Sequence, residues 1–198
     1  MFPKLLSLKF DPSAPEVENA DVTIRRLSDL NGAFADQSRF DAMLTENDPV
    51  LYRVSSWEVA DGDGDLVCGF GTLYPGKVGD EYFLTKGHYH EWREAAEIYI
   101  GLSGEGFMLL EHESSGESRM VSLLPNQIVY VPGHTAHRTV NTGNKPLTYI
   151  GIYSPRAGHD YGALVEKNFR QVIVEKDGKP ALLDRAEYLS ILNPEGTT

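Results

Sequence analysis

The sequence has 198 residues, a formal net charge of −11 at pH 7 and a hydrophobic fraction of 41%. This length favours one domain with a sizeable core, and the negative charge argues against a nucleic-acid or anionic-membrane surface. No apolar run approaches the ~20 residues that span a bilayer, and the single Cys68 excludes a disulfide within the chain. We therefore expect a cytoplasmic globular protein.

The first part of the chain predicts an arm followed by strands and one helix. Residues 1–21 are rich in proline and acidic residues and are predicted to form an N-terminal arm. Runs rich in β-formers predict strands at 22–27, 50–54 and 66–74. Phe40, Met43 and Leu44 have the i, i+3, i+4 spacing of a short amphipathic helix over 36–44. The acidic run at 61–65 lacks the closing Glu of a calcium loop, so a solvated turn is predicted.

The second part is a series of short apolar runs separated by turn residues. Strands are predicted at 83–90, from 97 to the turn at Gly104, and at 107–110, 120–123, 128–131, 137–140 and 147–153, with a hairpin of 171–174 and 181–183 around Asp177-Gly178. Short strands with frequent turns and little helix favour an all-β barrel or jelly roll over a βαβ sheet. The predicted domain spans 22–184, and 185–198 is predicted to be a short helix and a loose tail.

Four residues have the spacing of a metal site. His88 and His90 stand at i and i+2 of a predicted strand, so both imidazoles point to one face. Glu97 opens the next strand, and His137 lies in the pattern Pro-x4-His-x3-Asn. A single histidine on a strand is usually only packed or hydrogen-bonded, but this combination is far more specific. Glu94 also fits simple spacing, yet only Glu97 is continuous with the strand, so Glu91 and Glu94 are predicted to be rim charges.

Three imidazoles and one carboxylate suit a six-coordinate divalent ion with two positions left for water or substrate. Imidazole binds iron, nickel and zinc, and carboxylate also suits manganese, so the residues alone do not choose between these metals. The two motifs resemble those of the cupin superfamily, whose fold is a small antiparallel β-barrel, or jelly roll, with a metal inside.

The resemblance becomes narrower when further segments are included. The segments at 74–79, 85–90, 129–132, 136–141 and 157–162 together resemble the family of cupin-type glucose-6-phosphate isomerases, over about residues 22–175. That resemblance implies a metal-dependent enzyme, typically a homodimer, that interconverts glucose 6-phosphate and fructose 6-phosphate. It implies one metal ion per subunit, with Fe²⁺ expected first and Mn²⁺, Ni²⁺ or Zn²⁺ as alternatives.

The resemblance also implies residue roles. The implied metal ligands are His88, His90, Glu97 and His137, and the implied phosphate contacts are Tyr52, Thr85, Gly87 and Tyr161. Tyr153 is implied near the reacting carbons, and His159 beside the substrate. One departure is that a threonine expected near position 71 is Gly71, with Thr72 adjacent, so the phosphate site is either shifted onto Thr72 or rearranged. Without the family, the tyrosines would be read as core residues.

The implied reaction moves hydrogen between C2 and C1 of an open-chain sugar. Glu97 is the candidate base for proton transfer through an enediolate, with Tyr153 polarising or protonating an oxygen. A metal-bound carboxylate is a weaker base, so a metal-assisted hydride shift remains the alternative. Other classes compatible with the barrel are a non-catalytic sugar-binding cupin, a metal oxygenase, and an isomerase acting on mannose 6-phosphate.

Overall fold

The structure is a computed structural model that describes residues 7–13, 17, 20–57, 62, 64–165 and 167–194. Within these residues the chain is built mainly from antiparallel β-strands. The strands are β1 Asp21–Arg26, β2 Val50–Trp57, β3 Val67–Leu73, β4 Lys77–Val78, β5 Glu81–Tyr82, β6 Glu97–Ser103, β7 Gly106–His112, β8 Ser118–Leu123, β9 Ile128–Val131, β10 Thr135–Asn141, β11 Leu147–Tyr153, β12 Gln171–Lys176 and β13 Lys179–Asp184.

The strands form three sheets. A six-stranded sheet has the order β1-β2-β3-β11-β6-β9, a three-stranded sheet the order β10-β7-β8, and a four-stranded sheet the order β13-β12-β5-β4. The all-β prediction is confirmed, and the arrangement fits a jelly roll. The described strands do not close into one hydrogen-bonded barrel, because β10 and β7 pair with each other and leave the six-stranded sheet with its own edges.

One hydrophobic core joins the sheets. Leu73 and Tyr149 of the six-stranded sheet share a buried cluster with Leu109 and Val140 of the three-stranded sheet. Each fully buried large apolar side chain contributes about 1.5–3 kcal/mol relative to exposure. In β6 and β9 buried residues alternate with more exposed ones, as the two-residue period predicts, whereas β10 is buried along its whole length. The core therefore fixes which side chains face the interior.

Short helices flank the sheets. They are α1 Gln37–Glu46, α2 Gly162–Val165 and α3 Arg185–Leu192. The predicted helix at 36–44 is confirmed as α1, with Asp36 as the N-cap that accepts from Arg39 N at 2.9 Å. The helix predicted within 185–198 is α3, which buries Tyr188. The division of the chain into arm, barrel domain and tail stays a prediction, and residues 195–198 lie outside the described part.

The prediction of a continuous strand over 83–90 is wrong. This segment makes only isolated bridges, Leu84 with Val140, His88 with His137 and Tyr89 with Asp160. The reason is Gly87, whose φ of +76° lies in the left-handed region and interrupts the ladder. We call residues 84–90 the bridge segment.

Two further expectations concern the chain before β3. Leu8, Phe10 and Val17, from the predicted arm, pack against Trp57 and Phe70. Of the predicted acidic turn, Asp61 and Asp63 lie outside the described residues, and Gly62 N donates to Asp65 Oδ2 at 2.7 Å. None of the helices in the described ranges is long and apolar enough to cross a membrane.

Candidate metal centre and the adjoining cavity

Three parts of the fold bring the four predicted ligands together. His88 and His90 lie on the bridge segment, Glu97 is the first residue of β6, and His137 is in β10. Backbone hydrogen bonds in both directions between His88 and His137, of 3.3 and 3.1 Å, join the bridge segment to β10. One potential ligand atom from each of the four residues lies within 4.8 Å of all the others.

Backbone carbonyls fix the orientation of two imidazoles. Nδ1 of His90 lies 2.9 Å from the carbonyl oxygen of Ala95, and Nδ1 of His137 lies 3.2 Å from that of Thr135. Because a carbonyl only accepts, Nδ1 carries the proton and Nε2 presents a lone pair. Each Nε2 faces Oε2 of Glu97, at 3.3 Å from His90 and 3.0 Å from His137. Two acceptors this close require a cation between them, either a proton or a metal ion.

The protonation tendencies of the cluster support the same conclusion. Burial alone would raise the pKa of Glu97, but hydrogen bonds with His137 and His90 lower it to about 2. Burial disfavours the charged form of His90, but its hydrogen bond with Glu97 favours that form. The net result is a raised pKa of His90. Burial and the neighbouring histidines hold the pKa of His88 well below its usual value, and its buried Nε2 has no hydrogen-bond partner. The donor set fits a divalent metal ion.

Gly151 leaves the space that the Glu97 carboxylate occupies. It lies in β11, the strand beside β6, and a Cβ there would be 2.7 Å from Oε1 of Glu97. Glu97 is 4% exposed, whereas Glu91 and Glu94 are exposed on the preceding loop. The structure thus brings Glu97, and neither of the loop carboxylates, into the cluster.

A cavity of about 110 Å³ adjoins the cluster on the inner face of the six-stranded sheet. Of the predicted substrate and catalytic residues, it is lined by Tyr52, Thr85, Gly87, Tyr153, His159 and Tyr161, together with His88 and Glu97. His159 packs against His88 with ring centroids 4.4 Å apart and stacks on Tyr161 at 5.9 Å. Burial raises the pKa of Tyr153 to about 12 and lowers that of His159, so both are neutral at pH 7.

Thr72, onto which the phosphate site was predicted to be shifted if it was not rearranged, is not among the residues that line this cavity. Gly69 and Gly71 line the cavity, and Thr72 is the next residue along β3. Because successive strand residues point to opposite faces, Thr72 points away from the cavity. Its buried hydroxyl has no hydrogen-bond partner, and its strand neighbour Thr148 bonds outward to the carbonyl of Pro12.

The end of the cavity away from the metal ligands presents hydrogen-bond donors. Thr85 Oγ1 accepts from Thr139 N at 3.0 Å, and the Tyr52 hydroxyl lies 3.5 Å from Lys86 N. Behind Gly87 is the buried Arg138, which donates to the Lys86 carbonyl at 2.9 Å. A Cβ at position 87 would lie 3.0 Å from Arg138 Nε, so glycine permits this close approach. Burial lowers the pKa of Arg138 to about 9, which leaves it cationic at pH 7.

Comparison with known proteins identifies the family. Residues 24–186 match the family described as Glucose-6-phosphate isomerase (GPI). A relative named glucose-6-phosphate isomerase from Thermococcus litoralis is 45% identical over 181 residues, which cover 91% of this chain and 95% of the relative. A relative of the same name from Pyrococcus horikoshii is 42% identical, and the match covers 95% of this chain and 99% of the relative. Another from Sinorhizobium medicae is 40% identical, and the match covers 78% of this chain and 72% of the relative.

The chain belongs to the glucose-6-phosphate isomerase family. Among solved structures, Bacillus subtilis oxalate decarboxylase has a TM-score of 0.42 and 22% identity over 52% of this chain and 26% of that one. A cupin domain of an Enterobacter cloacae transcriptional regulator has a TM-score of 0.40 and 21% identity over 52% and 96%. Similarity at this level carries no argument about function.

Sequence analysis did not predict that three further residues lie at or beside the cavity. Tyr99 and Tyr149 line the cavity, and strand alternation could have found them, because Tyr99 stands two residues after Glu97 and Tyr149 four before Tyr153. No pattern in the sequence indicates a role for Arg138 at the cavity. It precedes Thr139 in an inward-facing strand, and only the tertiary packing shows that its side chain supports the bridge segment.

Proposed function

We propose that this protein interconverts glucose 6-phosphate and fructose 6-phosphate, with one divalent metal ion per subunit held by His88, His90, Glu97 and His137. The observation that carries the proposal is the convergence of these four side chains within 4.8 Å, at one end of a cavity whose other end offers hydroxyl donors. The family of the chain supports the reaction and the substrate class.

Iron(II) is the ion we propose first. Three imidazoles and a carboxylate also accept Mn²⁺, Ni²⁺ and Zn²⁺, so reconstitution with each metal ranks them. When bound, the ion would act as a Lewis acid that stabilises negative charge on the sugar oxygens at C1 and C2.

The residues around the cluster supply the remaining chemistry. Tyr153 keeps its proton at neutral pH, because burial raises its pKa to about 12, so its hydroxyl donates to a sugar oxygen. His159 is neutral and can accept or pass on a proton. Glu97 can accept the proton from C2, but the hydrogen bonds that hold its pKa at about 2 also make it a weak base.

Two routes of hydrogen transfer are therefore tested together. Proton transfer through an enediolate exchanges hydrogen with solvent, and a hydride shift does not. Isomerisation in deuterated water, followed by measurement of label at C1 and C2, distinguishes them. Substantial label at either carbon contradicts a pure hydride shift.

We further propose that Tyr52, Thr85, Gly87 and Tyr161 bind the phosphate. The protein is strongly acidic overall, so an anionic substrate needs local donors and local positive charge. The hydroxyls at this end of the cavity and the buried guanidinium of Arg138 behind Gly87 supply both. Lys86 adds a second cation, with Nζ 5.1 Å from the ring centre of Tyr161.

A coupled assay of fructose 6-phosphate conversion tests the function. The protein should be assayed as purified, after chelation, and after Fe²⁺ is restored, with fructose and mannose 6-phosphate as comparison substrates. We expect activity on fructose 6-phosphate that chelation removes and metal restores. Oxygen consumption without isomerisation would instead indicate a metal oxygenase, and absence of both would indicate a binding protein.

A homodimer is proposed as the working assembly. The outer face of the six-stranded sheet carries cross-strand apolar pairs, Ile98 with Tyr130 and Ile100 with Ile128. Tyr130 and Ile128 are 61% and 69% exposed on the edge strand β9. Covering such a patch with a second copy would remove apolar surface from water. Light scattering of wild type and Ile128→Glu tests this: wild type should be dimeric and the variant monomeric.

We also propose a cytoplasmic location, because a lone cysteine, Cys68, suits a reducing compartment.

A further inference from the structure

Tyr149 occupies the space of the side chain that position 71 lacks. Gly71 of β3 and Tyr149 of β11 are direct partners across the sheet. A Cβ at position 71 would lie 2.6 Å from the Tyr149 hydroxyl oxygen and still nearer to two of its ring carbons. The tyrosine thus places a hydroxyl beside the point where a side chain from position 71 would start. Both residues line the same cavity as Tyr52 and Thr85.

The Tyr149 hydroxyl belongs to a network of three hydroxyls. Thr139 Oγ1 lies 3.1 Å from the Tyr149 oxygen and 3.2 Å from Thr85 Oγ1. Three hydroxyls have three protons, and the two bonds between them use two. When Thr139 accepts from one partner and donates to the other, the third O–H is at an end of the network, at Thr85 or at Tyr149, and both ends line the cavity.

The surroundings of this network favour an anionic ligand. Its neighbours are the Tyr52 hydroxyl and, behind Gly87, the buried cation of Arg138. The carboxylate among the residues lining the cavity, Glu97, belongs to the metal cluster. Burial raises the pKa of Tyr149, so its hydroxyl is a neutral donor at pH 7. The ring packs 5.5 Å from that of Tyr99, and the hydroxyl, bonded to Thr139, lies at the cavity.

We propose that the Tyr149 hydroxyl, acting with Thr85, binds the phosphate group of the substrate and takes the place of a side chain at position 71. The inference rests on the proposed function, because it assigns one end of the same cavity to the phosphate. It makes the pair Gly71 and Tyr149 a determinant of specificity for phosphorylated over free sugars.

The first experiment removes the hydroxyl alone. Tyr149→Phe should raise KM for fructose 6-phosphate roughly 10- to 100-fold, the range for a lost hydrogen bond to a charged group. The ratio of kcat/KM for fructose 6-phosphate to that for fructose should fall by the same factor. Inhibition by inorganic phosphate should weaken in parallel, and circular dichroism verifies the fold.

The second experiment moves the hydroxyl across the sheet. Tyr149→Leu removes both the hydroxyl and the ring atoms that fill the space at Gly71. Adding Gly71→Thr to this background should lower KM for fructose 6-phosphate again. Gly71→Val in the same background is the matched control, because valine has the shape of threonine without its hydroxyl, and it should not lower KM.

The outcomes separate the inference from the proposed function. The inference is overturned if Tyr149→Phe lowers kcat/KM for fructose and its phosphate by one common factor, or if threonine and valine at position 71 act alike. If the wild-type protein does not isomerise fructose 6-phosphate, the proposed function fails instead. Calorimetry of inorganic phosphate binding then decides the inference alone, and equal affinity in wild type and Tyr149→Phe overturns it.

Discussion

Replacing Glu97 by glutamine tests the arrangement of the cluster most sharply. Oε2 lies 3.0 Å from Nε2 of His137, and two unit charges at this separation attract by about 5–6 kcal/mol at an effective dielectric constant of ~20. The amide keeps the size of the side chain but carries no charge, so most of this attraction is lost for a proton or a metal ion alike. Its NH₂ group can also donate to the Nε2 lone pair of His137 and obstruct metal binding.

We expect Glu97→Gln to lower kcat by at least ~10²-fold, the lower end of general acid–base contributions, or about 2.7 kcal/mol in the barrier. The coupled assay should be run at saturating metal, with bound metal measured by elemental analysis, so that weakened binding is not mistaken for lost chemistry. Glu94→Gln is the matched control, because Glu94 is exposed on the approach loop, and it should change kcat little. Full activity of Glu97→Gln together with loss of activity in Glu94→Gln would show that Glu97 is not the carboxylate of the site.

Three other predictions address the remaining parts of the site. His88→Ala and His137→Ala should each abolish metal binding and activity together, and full metal occupancy in either variant would show that the ligand set is wrong. Thr85→Ala should raise KM for fructose 6-phosphate roughly 10-fold or more; equal activity of wild type on fructose and its phosphate would remove the phosphate site. Metal affinity should fall at least ~10-fold per pH unit below the raised pKa of His90, since a proton on Nε2 competes with the metal; pH-independent affinity down to pH 5 would contradict this.

Much of the fold followed from the sequence because its signals are local. Alternating apolar runs and turn residues located most of the long strands, and Phe40 with its neighbours located α1. The prediction of a continuous strand in the bridge segment was wrong. Its residues are good β-formers, but the left-handed Gly87 and the pairing with β10 determine the backbone conformation there. The separation into three sheets depends on long-range pairing that no local pattern encodes.

Some features of the site were likewise predictable from local sequence patterns, and others depend on long-range contacts. His88 and His90 were placed on one side by the two-residue period, and their ring centroids are 5.5 Å apart although the segment is not a regular strand. Thr72 does not line the cavity, because strand alternation points its side chain to the face opposite Gly71. Strand alternation places Tyr149 on the inner face, but its pairing with Gly71 across the sheet is a long-range contact that only the structure shows.

We propose that the four-residue cluster holds one metal ion on which isomerisation depends. The most direct measurement is a titration of the fully chelated protein with Fe²⁺, in which fructose 6-phosphate conversion is followed against metal added per chain. We expect negligible activity at the start, a linear rise and a break at one equivalent of metal per chain. Full activity in the chelated protein, or the same titration curve from His137→Ala, would contradict it.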